Sequence, residues 1–203
     1  LTSKGRQPMF DNSKQICIVF NGEIYNFQSL RKELGSGFDF KTNTDTEVLL
    51  LSYKKWGVEC LSRLNGMFSF VIYDKARGIL FGARDRLGEK PLKYYFDGNF
   101  FAFASEIKGL LPAVKVKLEM DPIAINHFLS LQYVPSPKTG FKNIFKLPPG
   151  HFFIFKNGPL REARKLQIRK YWNISFKEKI ALSENAWEEI LLKKLKDSVQ
   201  SRL

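Results

Sequence analysis

Hydrophobic residues are densest in a short run near the start of the chain. Residues 15–20, QICIVF, place apolar side chains on both faces of an extended segment. A strand that is apolar on both faces is typical of a sheet buried between two layers. The next two residues, Asn21 and Gly22, form the dipeptide that most strongly favours a tight turn. The pattern therefore predicts a buried strand that ends in a turn at this pair.

Apolar residues with helical spacing follow this strand in two segments. The first predicted helix begins after Asn26, a residue type favoured at the N-cap, and closes at Gly35. The second begins near Thr44, and the glutamate three residues later, Glu47, predicts a capping box. The apolar residues of this second segment are Leu49, Tyr53, Trp56 and Cys60.

Alternating segments beyond the helices predict two β-hairpins. Residues 67–73 and 79–83 flank a polar turn, whereas residues 92–96 and 99–103 flank an Asp-Gly pair, which predicts a two-residue turn. This order of elements favours helices layered on antiparallel sheets, so the predicted fold class is α+β.

Shorter signals predict the remaining elements. Residues 106–111 and 122–131 are predicted to be short helices, and residues 151–155 a strand. Four of the prolines fall within residues 133–150, which predicts an extended connector that ends the sheet-rich part. An amphipathic helix is predicted over residues 183–203.

Length and composition restrict the class of protein. The 203 residues are 44% hydrophobic, which is enough for one large domain or for one domain and the beginning of another. No apolar run approaches the ~20 residues that span a bilayer, and no signal peptide opens the chain. We therefore expect a soluble, cytoplasmic protein without a membrane partner. Two cysteines in a chain of this length do not form a disulfide framework.

The chain is strongly basic. Its net charge of +13, from 33 Lys and Arg against 20 Asp and Glu, could indicate a nucleic-acid or anionic-lipid partner. The alternative is a lysine-rich solvated surface, which we favour because the lysines are spread along the chain. The densest cluster, residues 161–170, alternates with apolar residues and predicts a solvated strand pair or loop. Since no RNA-binding sheet motif or helix-turn-helix is present in the sequence, we predict no nucleic-acid partner.

Asn21 and Gly22 are candidates for chemistry as well as for a turn. A glycine N–H beside a side-chain amide forms a pair of donors that can stabilise the oxyanion of an acyl-transfer intermediate, each worth about 3–4 kcal/mol in comparable sites. A glycine also lets a ligand approach the backbone closely. The alternative, that the pair forms only a turn, is the commoner role of an isolated Asn-Gly dipeptide.

Two carboxylates near this pair are candidates for binding an ammonium group. Glu23 follows the two donors directly, although an exposed hairpin residue would have the same spacing. Asp45 lies in the first turn of the second predicted helix, where a negative charge is favourable by ~0.3–1 kcal/mol without any ligand. The spacing does not establish whether the two side chains converge.

Other polar residues indicate no further chemistry. His127 and His151 lack the spacing of metal ligands, so no metal site is predicted. Residues 84–86, Arg-Asp-Arg, predict a local network of ion pairs at a strand end.

Eight short motifs occur in a fixed order and together carry a family resemblance. They are QPM at 7–9, NGEIYN at 21–26, TDTEVLL at 44–50, LNGMFSFVIYD at 64–74, ARDRLGEKPL at 83–92, FASEIKGLL at 103–111, YVPSPKT at 133–139 and KLPPGH at 146–151. Any one of these strings is a weak signal, but the ordered series strongly resembles the glutamine-hydrolysing asparagine synthetases.

The resemblance implies a fold and a division into domains. The amino-terminal half of that family is a class II glutaminase, an αββα sandwich of the N-terminal-nucleophile hydrolase type. We accordingly expect residues 1–155 to form this domain without its N-terminal part, residues 156–182 to form a connector, and residues 183–203 to be the first helix of a synthetase domain. The family's Ser-Gly-Gly-x-Asp-Ser phosphate-binding loop is expected after Leu203.

The resemblance also implies a reaction and its participants. The intact protein is expected to be an ATP-dependent ligase that hydrolyses L-glutamine and uses the ammonia to convert L-aspartate into L-asparagine, with AMP and diphosphate as products. No cofactor is expected within these residues, whereas ATP and Mg²⁺ are expected in the synthetase domain. A homodimer is an assembly that the sequence leaves open.

Site residues are carried over by motif. The resemblance gives Asn21 and Gly22 the oxyanion-hole role, and gives Glu23 and Asp45 the binding of the glutamine α-amino group. The family's nucleophile is a cysteine at the mature N-terminus, whose own α-amine acts as the base. Neither Cys17 nor Cys60 can replace it, because each lies within the chain and has no free α-amine.

Two further expectations follow from this comparison of motifs. The arginine that would bind the glutamine carboxylate lies upstream in the family, and Arg6 is too close to the QPM string to be that residue. The chain as given is therefore expected to be a non-catalytic glutamine-binding fragment. The alternative within enzymes is another amidotransferase with the same glutaminase half and a different acceptor, although YVPSPKT and KLPPGH favour the synthetase branch.

Overall fold

Two stacked antiparallel sheets with helices on their outer faces make up most of the structure. The computed structural model describes residues 5–114, 117–156, 165–177 and 179–202. Its strands are β1 Met9–Phe10, β2 Ile16–Ile24, β3 Gly66–Asp74, β4 Ile79–Arg84, β5 Lys93–Phe96, β6 Phe101–Ala104, β7 Ile144–Lys146, β8 His151–Lys156 and β9 Lys165–Lys170. Its α-helices are α1 Phe27–Leu34, α2 Asp45–Trp56, α3 Cys60–Arg63, α4 Ile107–Leu110, α5 Pro122–Leu131 and α6 Glu184–Gln200, with short 3₁₀ turns at Gly35–Gly37 and Gly57–Glu59.

The layers follow the order helix, sheet, sheet, helix. The larger sheet has six strands in the order β1-β2-β3-β4-β8-β9, and the smaller has three in the order β6-β5-β7. Leu30 of α1 and Leu49 of α2 pack against the outer face of the large sheet. Val71 and Phe153 fill the space between the sheets. On the far side Leu110 of α4 covers the small sheet. This arrangement agrees with the predicted αββα sandwich.

The predicted turn at Asn21 and Gly22 is wrong. β2 continues through both residues to Ile24 and pairs with β3 along its whole length. The two strands approach so closely here that a Cβ on Gly22 would lie 2.1 Å from the Met67 carbonyl oxygen. Gly66, opposite Ile24, has the same property, since its Cβ would lie 2.1 Å from the Glu23 carbonyl oxygen. Long-range pairing therefore overrides the local turn preference.

The first hairpin is confirmed, but the turn of the second is longer than predicted. β3 and β4 pair across the polar turn as expected. In the second hairpin the last pair joins Phe96 and Phe101, so four residues form the connection instead of two. The carboxylate of Asp97 accepts hydrogen bonds from the backbone N–H groups of Asn99 and Phe100, at 2.8 and 2.7 Å. These bonds stabilise the longer loop.

The proline-rich segment at 133–150 does not end the sheet-rich part. It contains β7, whose Ile144 pairs with Tyr95 of the small sheet. Two further strands follow it, and β9 pairs with β8 through Ile168 and Phe153. Residues 165–170 thus belong to the large sheet and not to a connector. The predicted strand pair or loop at 161–170 is a strand from 165 onward, and residues 161–164 lie outside the described part.

The helices agree with the sequence pattern more closely. α5 has the predicted limits, and α6 begins after Ser183, whose side chain accepts a hydrogen bond from the N–H of Ala186. Within the described residues, none of the helices is long and apolar enough to cross a membrane. A cytoplasmic location stays a prediction.

Candidate active site

One edge of β2 carries the candidate site. β1 covers this edge only as far as Ile18, which pairs with Met9. In an antiparallel strand the N–H and C=O of one residue point to the same side, and the side alternates along the strand. Beyond Ile18 the residues whose backbone groups point away from β3 are Phe20, Gly22 and Ile24.

Side-chain oxygens occupy the first and third of these outward N–H groups. Phe20 donates its N–H to Oε1 of Gln7 at 2.6 Å. Ile24 donates its N–H to Oδ2 of Asp45 at 3.0 Å. Gly22 lies between them, and no side chain among the described residues accepts a hydrogen bond from its N–H.

The strand opposite leaves the Gly22 N–H unused as well. Gly22 pairs with Phe68 of β3. Phe68 has both its backbone groups turned toward Asp85: its N–H donates to Oδ2 at 3.3 Å, and its C=O accepts from the Asp85 N–H at 2.8 Å. Gly22 and Phe68 therefore form a non-hydrogen-bonded pair. The Gly22 N–H is a donor that faces the uncovered edge of the sheet.

Asn21, the preceding residue of β2, carries a second donor in its side chain. Its side chain is exposed, and its Nδ2 lies 3.4 Å from Oγ of Ser105, which follows β6 of the small sheet. Asn21 lines a cavity of about 200 Å³ between the sheets, together with Gln7, Ser69 and Ser105. One of the two donors predicted from the sequence thus borders this cavity, and the other belongs to the next residue of β2. A larger cavity, of about 440 Å³, is lined by Tyr73, Gly78, Ile79, Leu80, Phe100, Phe101 and Phe155, and has no charged side chain.

The two predicted carboxylates lie at the same end of β2. Asp45 is the first residue of α2, and its bond to the Ile24 N–H attaches the start of that helix to the strand. Glu23 is the neighbouring residue on the strand and is exposed. Among the described residues its carboxylate has no salt bridge or hydrogen bond. The fold therefore brings Asn21, Gly22, Glu23 and Asp45 to one place, while their roles stay predictions.

Glu47 supports the position of Asp45. The Thr44 side chain accepts from the Glu47 N–H at 3.3 Å, which is one half of the predicted capping box. The other half is absent, because the buried Glu47 carboxylate accepts from the N–H groups of Lys41 and Thr42, at 2.8 and 2.7 Å. This carboxylate therefore folds the loop that leads into α2, and the sequence pattern did not reveal that role.

Asn26 does not cap α1 through its side chain, contrary to the sequence prediction. Its Nδ2 donates to the Arg63 carbonyl at 2.9 Å, and its Oδ1 accepts from the Asn65 N–H at 2.9 Å. Asn26 thus joins the end of β2 to the segment that enters β3, two residues beyond Ile24. The final residue of the NGEIYN string is structural support for the site.

A buried carboxylate organises the loop after β4. Asp85 is 1% exposed and does not form the predicted ion-pair network with its neighbours. Arg84 donates to the carbonyl groups of Lys90, Gly88 and Leu147, and its burial lowers the pKa of the guanidinium. The Asp85 carboxylate accepts from the backbone N–H groups of Phe68, Leu87, Gly88, Glu89 and Lys90.

Neither cysteine has the properties of a nucleophile. Cys60 is fully buried, and burial raises the pKa of its thiol to about 12. Cys17 lies in β2, and burial raises the pKa of its thiol as well. A thiol with a raised pKa is poorly ionised near neutral pH, and the thiolate is the reactive form. Within the described ranges, no group of three or more His, Cys, Asp and Glu side chains is arranged to hold a metal ion.

Comparison with known proteins identifies the family of this chain. The sequence profile of the glutamine amidotransferase domain matches residues 1–172. The chain belongs to the glutamine amidotransferase family. The match covers all of β1–β9, so the strand β9 that follows the predicted domain boundary lies within the amidotransferase domain.

Among full-length relatives the most similar include asparagine synthetases. This amidotransferase domain is 39% identical over 188 residues to a putative glutamine-hydrolysing asparagine synthetase 2 of Methanocaldococcus jannaschii, covering 85% of this chain and 35% of the relative. It is 38% identical over 207 residues to glutamine-hydrolysing asparagine synthetase 3 of Bacillus subtilis, covering 96% of this chain and 33% of the relative. The resemblance predicted from the motifs is confirmed, and the chain spans about a third of these relatives.

Solved structures confirm the fold. The amidotransferase domain superposes on glutamine phosphoribosylpyrophosphate amidotransferase of Bacillus subtilis with a TM-score of 0.56 at 22% identity, covering 82% of this chain and 32% of that one. The predicted αββα sandwich is therefore correct.

Proposed function

We propose that this amidotransferase domain hydrolyses L-glutamine to L-glutamate and ammonia. The observation that carries the proposal is the uncovered N–H of Gly22, whose neighbour in the strand, Asn21, carries a side-chain amide at the edge of a cavity. Sheet pairing satisfies most backbone donors, and an unused one at a sheet edge is suited to bind a ligand oxygen. A glutamine side-chain carbonyl becomes negatively charged during acyl transfer, and two such donors stabilise that charge.

The four site residues divide the reaction between them. A thiolate, which we assign to an N-terminal cysteine of the longer protein, attacks the amide carbon of glutamine. Asn21 and Gly22 donate hydrogen bonds to the resulting oxyanion. The α-amine of that cysteine accepts the thiol proton and returns it to the leaving nitrogen, so that the C–N bond breaks and ammonia departs. Water then hydrolyses the thioester to release glutamate and restore the thiol. Glu23 and Asp45 bind the α-ammonium group throughout.

We further propose that the longer protein transfers this ammonia to aspartate and so forms asparagine. The names of the relatives that are 38–39% identical support this acceptor. ATP and Mg²⁺ would then bind outside the residues of this chain. Assembly as a homodimer and the absence of a nucleic-acid partner stay predictions, which sedimentation velocity and filter binding across a salt series would check.

A second candidate is an amidotransferase that uses a different acceptor. The chain is 31% identical over 206 residues to a protein of Gibberella zeae named amidase chry2, and this match covers 100% of the chain. The glutaminase half is therefore shared with a protein whose name does not specify asparagine. Asparagine formation measured with the longer protein separates the two candidates.

The glutaminase proposal is tested by Asn21→Ala in the longer protein. Loss of one oxyanion donor should lower kcat for glutamine hydrolysis by roughly 10²–10³-fold. Asparagine formation from added ammonia should stay unchanged, because it bypasses the glutaminase site. Asn99→Ala is a matched control, since Asn99 is exposed in the β5–β6 loop and contributes only its backbone N–H. An Asn21→Ala protein with wild-type glutaminase turnover would exclude the oxyanion role.

A further inference from the structure

Gln7 contacts the candidate site through its side chain and not through its backbone. It precedes β1, and continuing the β1–β2 register past Met9 and Ile18 would set its backbone opposite Phe20. The side chain makes the contact instead: Oε1 of Gln7 accepts from the Phe20 N–H at 2.6 Å. Gln7 also lines the cavity that Asn21 borders.

Gln7 and Asp45 flank the uncovered donor symmetrically. Each supplies a side-chain oxygen to the outward N–H two residues away from Gly22, one on each side. A longer β1 would bind Phe20 through its backbone, and further extension would cover the Gly22 N–H as well. The side-chain acceptors bind the Phe20 and Ile24 N–H groups without adding a strand to the sheet. The Gly22 N–H between them therefore stays accessible.

We propose that Gln7 is a positioning residue for the glutaminase reaction: it fixes the Phe20 side of the β2 edge so that the Gly22 N–H is held toward the oxyanion. This inference rests on the glutaminase function proposed above. Asp45 fixes the other side of the same edge. Without Gln7 the Phe20 N–H would bond only to water, and the segment that contains Gly22 would be held on one side alone.

The chemistry of this role requires an acceptor at residue 7. Glutamate retains an oxygen that can accept from the Phe20 N–H, whereas methionine has similar size but only a weakly accepting sulfur. A packing role would be satisfied by methionine. A positioning role would be satisfied by glutamate and not by methionine.

The kinetic effect should fall on kcat and not on KM. The displaced donor contributes in the transition state, where the oxygen carries negative charge, so its misplacement by a fraction of an ångström should lower kcat by ~10–100-fold. Glutamine binding depends on the ammonium contacts of Glu23 and Asp45, which Gln7 does not touch. KM for glutamine should therefore stay close to the wild-type value.

The experiment measures glutaminase kcat and KM of the longer protein with Gln7→Met, Gln7→Glu and Asn21→Ala. Gln15→Met is the matched control, since Gln15 is exposed and its side chain bonds only the neighbouring Ser13 carbonyl. We expect Gln7→Met to lose kcat at constant KM, Gln7→Glu to recover most of it, and Gln15→Met to equal the wild type. Ammonia-dependent synthesis, which is unaffected by the glutaminase site, shows that each variant is folded.

Each alternative result has a distinct meaning. Wild-type kcat in Gln7→Met together with impaired Asn21→Ala would refute the role of Gln7 and leave the glutaminase proposal intact. Equal losses in Gln7→Met and Gln7→Glu would refute a role as acceptor. Wild-type turnover in Asn21→Ala would overturn the glutaminase proposal itself, and with it the inference about Gln7.

Discussion

Gly22→Ala tests whether the close approach of β2 and β3 is essential to the fold. The added Cβ would lie 2.1 Å from the Met67 carbonyl oxygen and 2.7 Å from the Phe68 Cα, which are both backbone atoms. Neither atom can move without separating the two strands. The φ angle of Gly22, +152°, is also one that side chains with a Cβ rarely adopt. The substitution therefore combines a steric clash with a conformational penalty.

The two contributions can be estimated separately. An unfavourable backbone conformation costs about 1–3 kcal/mol. Forcing extra volume into a packed interior costs about 1–3 kcal/mol more. Because 1 kcal/mol corresponds to roughly 2–4 °C in Tm for a domain of this size, the variant should melt about 5–20 °C below the wild type. A typical domain stability of 5–15 kcal/mol leaves the variant folded at room temperature.

Two control variants separate the causes in thermal unfolding followed by circular dichroism. Gly98→Ala has only the conformational penalty, since φ is +95° and no atom lies within 4 Å of the added Cβ. Gly66→Ala has only the clash, at 2.1 Å from the Glu23 carbonyl oxygen. Gly22→Ala should lower Tm more than either. If Gly22→Ala melts no lower than Gly98→Ala, the strands do not approach as closely as described and the reasoning fails.

Four further predictions concern three side chains and the activity of the chain. Burial alone would raise the pKa of Asp11, but hydrogen bonds from Lys54, Ser13 and the Ile16 N–H lower this pKa from 3.8 to about 2. The ionised Asp11 therefore stabilises the fold above its usual pKa, and this stabilisation is lost as the pH falls toward 2. Asp11→Asn should therefore flatten the acid limb of urea-measured stability; an unchanged limb would contradict this. Glu47→Gln should lower the free energy of unfolding by about 1–3 kcal/mol, because it weakens hydrogen bonds to the loop before α2; calorimetry showing no change would exclude that role. Cys60 should be alkylated slowly because it is fully buried, and rapid alkylation in mass spectrometry would refute its protection. The 203-residue chain by itself should hydrolyse no glutamine, and ammonia release from glutamine would refute this predicted inactivity.

Elements with strong periodic patterns were predictable from sequence. The β3–β4 hairpin and α5 follow from alternation and from proline at a helix start, both of which are local properties. The turn expected at Asn21 and Gly22 fails because that preference is also local, whereas β3 lies more than forty residues away along the chain. β7 has only three residues, which is too short to produce a pattern against the surrounding prolines.

The residues of the candidate site also divide into those that local sequence predicts and those that depend on long-range packing. Asn21, Gly22 and Glu23 are consecutive, so their proximity needs no tertiary structure. Asp45 reaches them only because α2 packs against β2, a contact that the spacing could not establish. Gln7 could not be assigned a role, since the QPM string gives no sign that its side chain replaces a strand at the sheet edge.

Asp85 has a consequence for how the loop after β4 tolerates variation. Its carboxylate accepts hydrogen bonds from the main-chain nitrogens of residues 87–90 and, within the described part of the chain, from no side chain, while Leu87 is 70% exposed. Substitutions of Leu87 or Glu89 should therefore have little effect on folding in a screen of a variant library. A one-residue insertion or deletion would break several of these bonds at once and disturb Phe68, which stands across from Gly22. The loop therefore tolerates changes of residue type but not changes of length.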